Sequence, residues 1–324
     1  MSGLLTVDGL RVTYPGGERP LHAVDGVSLH IEAGTTLGLV GESGSGKSTL
    51  GRGILGLAPV TAGTVRLNGK DITHATAKAR RDLCSQIQMV FQDPYASLNP
   101  RMPVGKAIVE PMAEHLSLSN RELRLESGRL LELVGLSASD ANRYPFQFSG
   151  GQRQRIAIAR ALALKPSLII ADEITSALDV SVQAAILNLL RELQRETGVA
   201  FLFISHNLAV VRYLSDRIAV MNLGKIVEEA DAGRLFSEPR HPYTSVLIGA
   251  VPRVHQREDA LRPLQGDVPD PLHPPAGCRF HTRCPVGPAV RSDRGSCAVD
   301  QPLGESGPDG TVACHFPLTS SGRS

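Results

Sequence analysis

Along the first 235 residues, short apolar runs alternate with stretches in which apolar positions recur every three or four residues. Leu37-Gly-Leu-Val40, Ile87-Gln-Met-Val-Phe91, Leu168-Ile-Ile-Ala171 and Ala200-Phe-Leu-Phe-Ile204 are short and uninterrupted by alternating polar positions, so they read as buried strands. The amphipathic stretches between them supply helices, and a βα alternation of this kind builds a largely parallel sheet. Thr64–Ile72 departs from it. Asn68-Gly69 stands there between two short alternating runs, a hairpin signal, so some antiparallel pairing is expected and the fold class is α/β with a mixed sheet. From about Pro103 to Pro145 the period is helical, and Leu123, Leu130, Leu131 and Val134 form one apolar stripe, which predicts a separate helical layer.

The rules change near the end of the chain. From Pro239 onward lie 13 of the 22 prolines and four of the five cysteines. We therefore expect a first domain over 1–235, with its helical subdomain at about 93–164, and a C-terminal extension over 236–324. Length and composition support folded domains: 324 residues, 42% hydrophobic and 20% charged, with a mean hydropathy of −0.04. A net charge of +2 gives no bulk field for nucleic acid, so any anion site must be local. No apolar run approaches the roughly 18 residues of a membrane span. The opening Met1-Ser-Gly-Leu-Leu-Thr-Val-Asp8 resembles no secretory signal. These features lead us to expect a cytoplasmic location, where the cysteines would not form structural disulfides.

One motif carries most of the chemistry. Gly41-Glu-Ser43-Gly44-Ser-Gly46-Lys47-Ser48 satisfies G-x-x-x-x-G-K-S/T between an expected strand and an expected helix. Small residues let successive backbone N–H groups turn inward on phosphate oxygens, and the following helix N-terminus adds partial positive charge. Lys47 would reach the β- and γ-phosphates, Ser48 would ligate Mg²⁺, and Thr49 continues the phosphate-contacting run. Leu168–Ala171 leads into Asp172-Glu173. At the carboxyl end of a parallel strand these carboxylates face a ligand crevice, Asp172 toward Mg²⁺ and Glu173 as base for an attacking water. Ser149, Gly150 and Gly151 open a further helical run, with Gln152 next, and form a second anion site.

Gln147-Phe-Ser-Gly-Gly-Gln-Arg-Gln-Arg155 resembles the signature of ATP-binding-cassette ATPases, and the motif order matches that family over about residues 1–235. The resemblance implies a P-loop NTPase fold, ATP and Mg²⁺ as ligands, and a head-to-tail pair of cassettes in which the signature of one caps the nucleotide of the other. It implies that Gln92 contacts Mg²⁺ and the attacking water, that Ser176-Ala-Leu-Asp179 is the loop linking the two nucleotide sites, that His206 senses the γ-phosphate, and that Tyr14 stacks on adenine. One departure stands out: Ile174 follows Glu173 where the family usually has proline.

Phe91-Gln-Asp-Pro-Tyr95-Ala-Ser-Leu-Asn-Pro-Arg101, Ser176–Gln183, His241-Pro-Tyr-Thr244, Leu264–Pro269 and Pro274–Pro285 are similar to the cassettes of oligopeptide and dipeptide importers. Tyr95 and Gly151-Gln152 favour the F-type member of the usual unlike pair. The resemblance implies an ATPase that energises peptide uptake from the cytoplasmic face of the membrane. Its partners would be a second, unlike cassette, two integral permeases and, indirectly, an extracellular solute-binding protein. Nickel, glutathione or another small solute is the alternative cargo, and a soluble phosphonate-breakdown-like complex the alternative setting. A DNA-repair cassette is disfavoured, since no sustained heptads separate Ser48 from Ser149. We expect Gln92–Arg101 to face a permease with Pro94, Tyr95, Leu98 and Pro100.

Cys278, Cys284, Cys297 and Cys314 are separated by five, twelve and sixteen residues, unlike zinc knuckles. Four thiols in a proline-rich region still suggest a cross-linking site, for structural Zn²⁺ or a 4Fe-4S cluster. The resemblance to the importer subfamily favours iron–sulfur. Cys84 reads as a packing residue.

Overall fold

The computed structural model describes residues 3–16, 19–93, 97–251, 266–307 and 310–319. Pro94, Tyr95 and Leu264 lie outside them. The chain divides into two compact units, the first drawn from 1–30, 36–74 and 204–324, the second from 31–35 and 75–203.

In the first unit, Leu5–Tyr14 pairs antiparallel with Val60–Leu67, Leu5 opposite Leu67 and Val12 opposite Val60. Leu21–Ile31 and Lys70–Asp71 complete this sheet on either side. Leu5, Val7, Leu10 and Val12 are all buried. Strict alternation would put Leu10 on the outer face. The register shift between Asp8 and Arg11, at Gly9 with φ +57°, returns it to the core. The Asn68-Gly69 turn forms as expected, with φ of +49° and +77°.

The unit's second sheet is built on Thr36–Val40, buried at all five positions. It runs parallel to Arg217–Asn222, with Leu37 opposite Arg217 and Val40 opposite Val220. Lys225–Asp231 follows antiparallel, then Gly310–Val312 and Glu305–Gly307, so the extension supplies two strands of its own. Glu228, buried in this sheet, accepts the backbone N–H groups of Arg240 and His241 (2.8 Å each), fixing the entry to the helix Pro242–Gly249. Burial raises the Glu228 carboxyl against those bonds.

In the second unit, Ile87–Val90 and Leu168–Asp172 pair in parallel, Ile87 opposite Leu168 and Val90 opposite Ala171. The expected helical layer is present as Val104–His115 and Asn120–Leu133, the latter started by a reciprocal Ser119–Glu122 cap. Leu130, Leu131 and Val134 are fully buried, while Leu123 is only partly so. Helices Gly150–Leu162 and Val180–Thr197 complete the unit, the second ending at Gly198 in a left-handed cap. Leu98 is 3% exposed, which corrects its expected place on a permease-facing surface: its side chain packs inside the protein. Among the described residues no helix is long and apolar enough to cross a membrane.

Leu39, with no exposed surface, lies in the strand that leads into the glycine-rich loop. Leu39→Ala is expected to cost about 2–5 kcal/mol through lost burial and the cavity left behind, read as a fall in the urea midpoint. A loss below about 1 kcal/mol would remove Leu39 from the core.

Candidate functional site

In the first unit, Thr36–Val40 delivers the glycine-rich loop directly to the helix Lys47–Ile54. Gly46, the residue before the helix, has φ +103°, and a Cβ there would stand 2.2 Å from the carbonyl oxygen of Ala23. Only glycine fits that backbone. Lys47 is 5% exposed, and its Nζ donates to the carbonyls of Gly41 (2.9 Å) and Glu42 (2.8 Å) and to Ser45 Oγ (3.4 Å). The ammonium is thus folded back along the loop whose N–H groups begin the helix. No Cβ contact would arise at Gly44 within 4 Å, so the crest of the loop is open.

Tyr14, at the end of its strand in this unit, is partly exposed. His206 is exposed, just beyond Ser205, whose N–H donates to the Leu39 carbonyl (3.2 Å). That bond places the His206 stretch against the strand feeding the loop. Sequence reasoning missed Glu42, Tyr243 and Arg283. Glu42 N–H donates to Tyr243 Oη (3.0 Å), and the Glu42 carboxylate takes two hydrogen bonds from Arg283 (2.8 and 3.0 Å).

In the second unit, Leu168–Asp172 is wholly buried and Asp172 is 4% exposed. Glu173 adopts φ +50°, a left-handed conformation that costs a non-glycine residue on the order of 1–3 kcal/mol. Ser176 offsets it by donating to the Glu173 carbonyl through both its N–H (3.1 Å) and its Oγ (2.8 Å). Gln92 Nε2 in turn donates to Ser176 Oγ (3.3 Å). The structure therefore joins Gln92 to the backbone that holds Glu173. Gln183, not singled out from the sequence, ties the same segment down by donating to the carbonyls of Thr175 (2.8 Å) and Leu178 (3.1 Å). Ile174, at the usual proline position, is 2% exposed and packs as a core residue.

Asp179 caps Val180–Thr197, accepting from Val182 N–H (2.9 Å) and Ser181 Oγ (2.7 Å), and these bonds hold its carboxyl below the ordinary value. Ser149 caps Gly150–Leu162, with Gln152 N–H donating to Ser149 Oγ (3.3 Å) and Ser149 N–H to Gln152 Oε1 (2.9 Å). A Cβ on Gly151 would meet Val182 Cγ1 at 2.4 Å, so its glycine secures close helix packing.

Cys278, Cys284, Cys297 and Cys314 line one small cavity, along with His281 and His315. No disulfide joins any of the five cysteines. Burial pushes the Cys278 thiol up to about 11 and the Cys314 thiol up to about 12, and the neighbouring sulfurs push the same way. Cys284 and Cys297 are raised by burial as well. The donor set suits a thiolate-bound metal in kind and in its convergence. Metal-holding spacing is not formed, however: among the described residues no group of three or more His, Cys, Asp or Glu could hold an ion.

The family model for ABC transporters matches residues 24–176, and that for the oligopeptide/dipeptide transporter C-terminal region matches 227–289. The oligopeptide transport ATP-binding protein AppF of Bacillus subtilis is 49% identical, over 91% of this chain and 89% of its own length. The oligopeptide transport ATP-binding protein OppF of Salmonella typhimurium is 48% identical, over 91% and 88%. Among solved structures, the dimeric post-hydrolysis state of the ATP-binding cassette MJ0796 bound to ADP and Pi superposes with a TM-score of 0.65 and 31% identity, covering 70% of this chain and 98% of that one.

Cys84 is exposed, which corrects its expected place as a packing residue. In metal-free, fully reduced protein, Cys84 should alkylate first at pH 7.5, with Cys278 and Cys314 reacting only as the pH climbs toward their raised values. Mass mapping of the labelled cysteines checks this; equal labelling of all five at pH 7.5 would remove the buried-thiol description.

Proposed function

Because this chain belongs to the ATP-binding subunits of ABC peptide transporters, we propose that Gly41–Thr49 binds the phosphates of ATP and that Glu173 activates the water that cleaves it. The protein hydrolyses ATP to ADP and phosphate and couples this to peptide uptake through a membrane permease. The observation that carries the site assignment is the loop itself: a glycine-only backbone at Gly46 and a buried Lys47 ammonium folded along it. In this reading Gly41, Ser43, Gly44 and Gly46 present N–H groups to phosphate oxygens, and Lys47 exchanges its carbonyl partners for the β- and γ-phosphates. Ser48, Gln92 and Asp172 would hold Mg²⁺, which when bound neutralises charge developing on the phosphates. Glu173 accepts the proton of the attacking water at a carboxylate oxygen, the left-handed backbone and Ser176 fixing its direction. His206 contacts the γ-phosphate and Tyr14 the adenine.

Ser149, Gly150, Gly151 and Gln152, with Asp179, serve a second cassette. The capping box fixes where the helix starts, its N-terminus carries the partial positive charge an anion needs, and an unlike cassette is the partner we favour, in line with the pairing implied by the Tyr95-containing segment. Peripheral attachment to the cytoplasmic face follows from permease partners, and no nucleic acid is involved. Residues 1–235 would form the cassette proper and 236–324 the importer-type extension. Within the extension, we assign the four cysteines to a 4Fe-4S cluster, with Zn²⁺ as the alternative; their convergence on one cavity supports this and the absent ligand spacing would require side-chain rearrangement on loading.

Glu173→Gln keeps size and loses the base, so ATP turnover should fall at least about a hundredfold while ATP affinity stays within about threefold. Comparable hydrolysis by both proteins would sink the assignment. For the extension, anaerobic purification should give brown protein with about four irons per chain. Colourless protein free of iron and zinc would refute the metal reading.

A further inference from the structure

Glu42 is held at three points. Its N–H donates to Tyr243 Oη (3.0 Å), its carbonyl accepts from Lys47 Nζ (2.8 Å), and its carboxylate takes a parallel fork from Arg283, Nη1 to Oε2 (2.8 Å) and Nη2 to Oε1 (3.0 Å). The Arg283 side chain is 6% exposed and that of Glu42 23%, so the pair is largely withdrawn from water. Tyr243, with no exposed surface, meets Phe280 edge-on at 5.1 Å between ring centres, and Phe280 is itself buried. Arg283 closes the single turn His281–Arg283. Four residues earlier, Arg279 ion-pairs Asp25 and donates to the Leu223 carbonyl. Asp25 also receives Lys225 (3.2 Å) and Arg11 (3.1 Å). Two arginines of the extension are therefore anchored on the unit that carries the loop, one of them on the loop itself.

A carboxylate on a phosphate-binding loop opposes its ligand. Glu42 follows Gly41 directly, and its carbonyl shares the Lys47 ammonium. Left alone, the carboxylate would repel a triphosphate and could compete for Lys47. A partly exposed fork would contribute little, but a withdrawn, two-bond arginine pair is strong and directional, and breaking it strands a charge.

We propose that Arg283 is a positioning residue for ATP binding: its fork on Glu42 neutralises the loop's own carboxylate and holds it away from Lys47, so that the C-terminal extension sets the affinity of the nucleotide site. The inference rests on the phosphate-binding reading of Gly41–Ser48. The raised basicity of Arg283, due first to its hydrogen bonds with Glu42, agrees with a guanidinium that stays charged in this setting.

The test is a double-substitution cycle in the full-length chain, reading equilibrium binding of a fluorescent ATP analogue with Mg²⁺, and steady-state KM for ATP against kcat. Arg283→Ala should weaken binding and raise KM by about tenfold or more, with kcat moving less than about threefold. Adding Glu42→Gln to it should restore affinity to within about threefold of wild type, because the charge needing neutralisation is gone. Unchanged affinity in a folded Arg283→Ala protein overturns the proposal. So does a double variant as weak as Arg283→Ala alone, which would leave Arg283 a merely structural residue. If Arg283→Ala does not fold, Glu42→Gln/Arg283→Gln is compared with Glu42→Gln: equal affinity supports the proposal, and a tenfold loss overturns it. Lys47→Ala binding ATP as wild type would instead defeat the loop reading, whatever Arg283 does.

Discussion

A lysine ammonium enclosed by protein is expensive unless oxygen atoms surround it, and the loop Gly41–Ser48 is organised around one. Lys47 is 5% exposed, and the carbonyls of Gly41 and Glu42 point at it. That arrangement requires the chain to turn back on itself within six residues. The turn requires the Gly46 backbone, where Ala23 leaves no room for a side chain. The loop in turn needs a rigid support, which the wholly buried strand Thr36–Val40 and its parallel neighbour Arg217–Asn222 provide. Strand, loop and helix Lys47–Ile54 together hold this cation at the place proposed for phosphate.

The second unit meets a different difficulty. The carboxylate proposed to abstract a proton, that of Glu173, stands on an unfavourable left-handed backbone. The loop after it supplies the compensation. Ser176 bonds twice to the Glu173 carbonyl, Gln183 bonds twice to the same loop from the following helix, and Gln92 reaches Ser176 from another segment. A rearrangement of Gln92 would therefore be felt at Glu173 through a single serine. Family members usually have proline after the glutamate. Here the residue is Ile174, and it is buried.

Much of this was legible in the sequence because it is local. The strands Leu168–Asp172 and Ala200–Ile204 declare themselves as unbroken apolar runs, and Asn68-Gly69 and the glycine-rich loop carry their geometry in adjacent residues. What escaped is non-local or irregular. Leu5–Tyr14 loses its alternation at a bulge. The bond between Glu42 and Arg283 spans 241 positions, and nothing in either neighbourhood marks one as the partner of the other. Leu98 was misplaced because a short apolar motif does not reveal which of its residues turn inward. The four cysteines, crowded in a proline-rich region, line one cavity, but crowding does not fix ligand spacing.

The two short strands of the extension have one further effect. Gly310–Val312 pairs with Lys225–Asp231 at Glu228 and Glu229, and Glu305–Gly307 lies outside it, three residues long and exposed throughout. A sheet that ended at Lys225–Asp231 would present a seven-residue row of backbone donors and acceptors, the kind of border along which identical chains join. By moving the border to a three-residue strand bearing Glu305, the extension leaves little for another copy to extend. On this side the extension thus replaces a seven-residue border with a three-residue one.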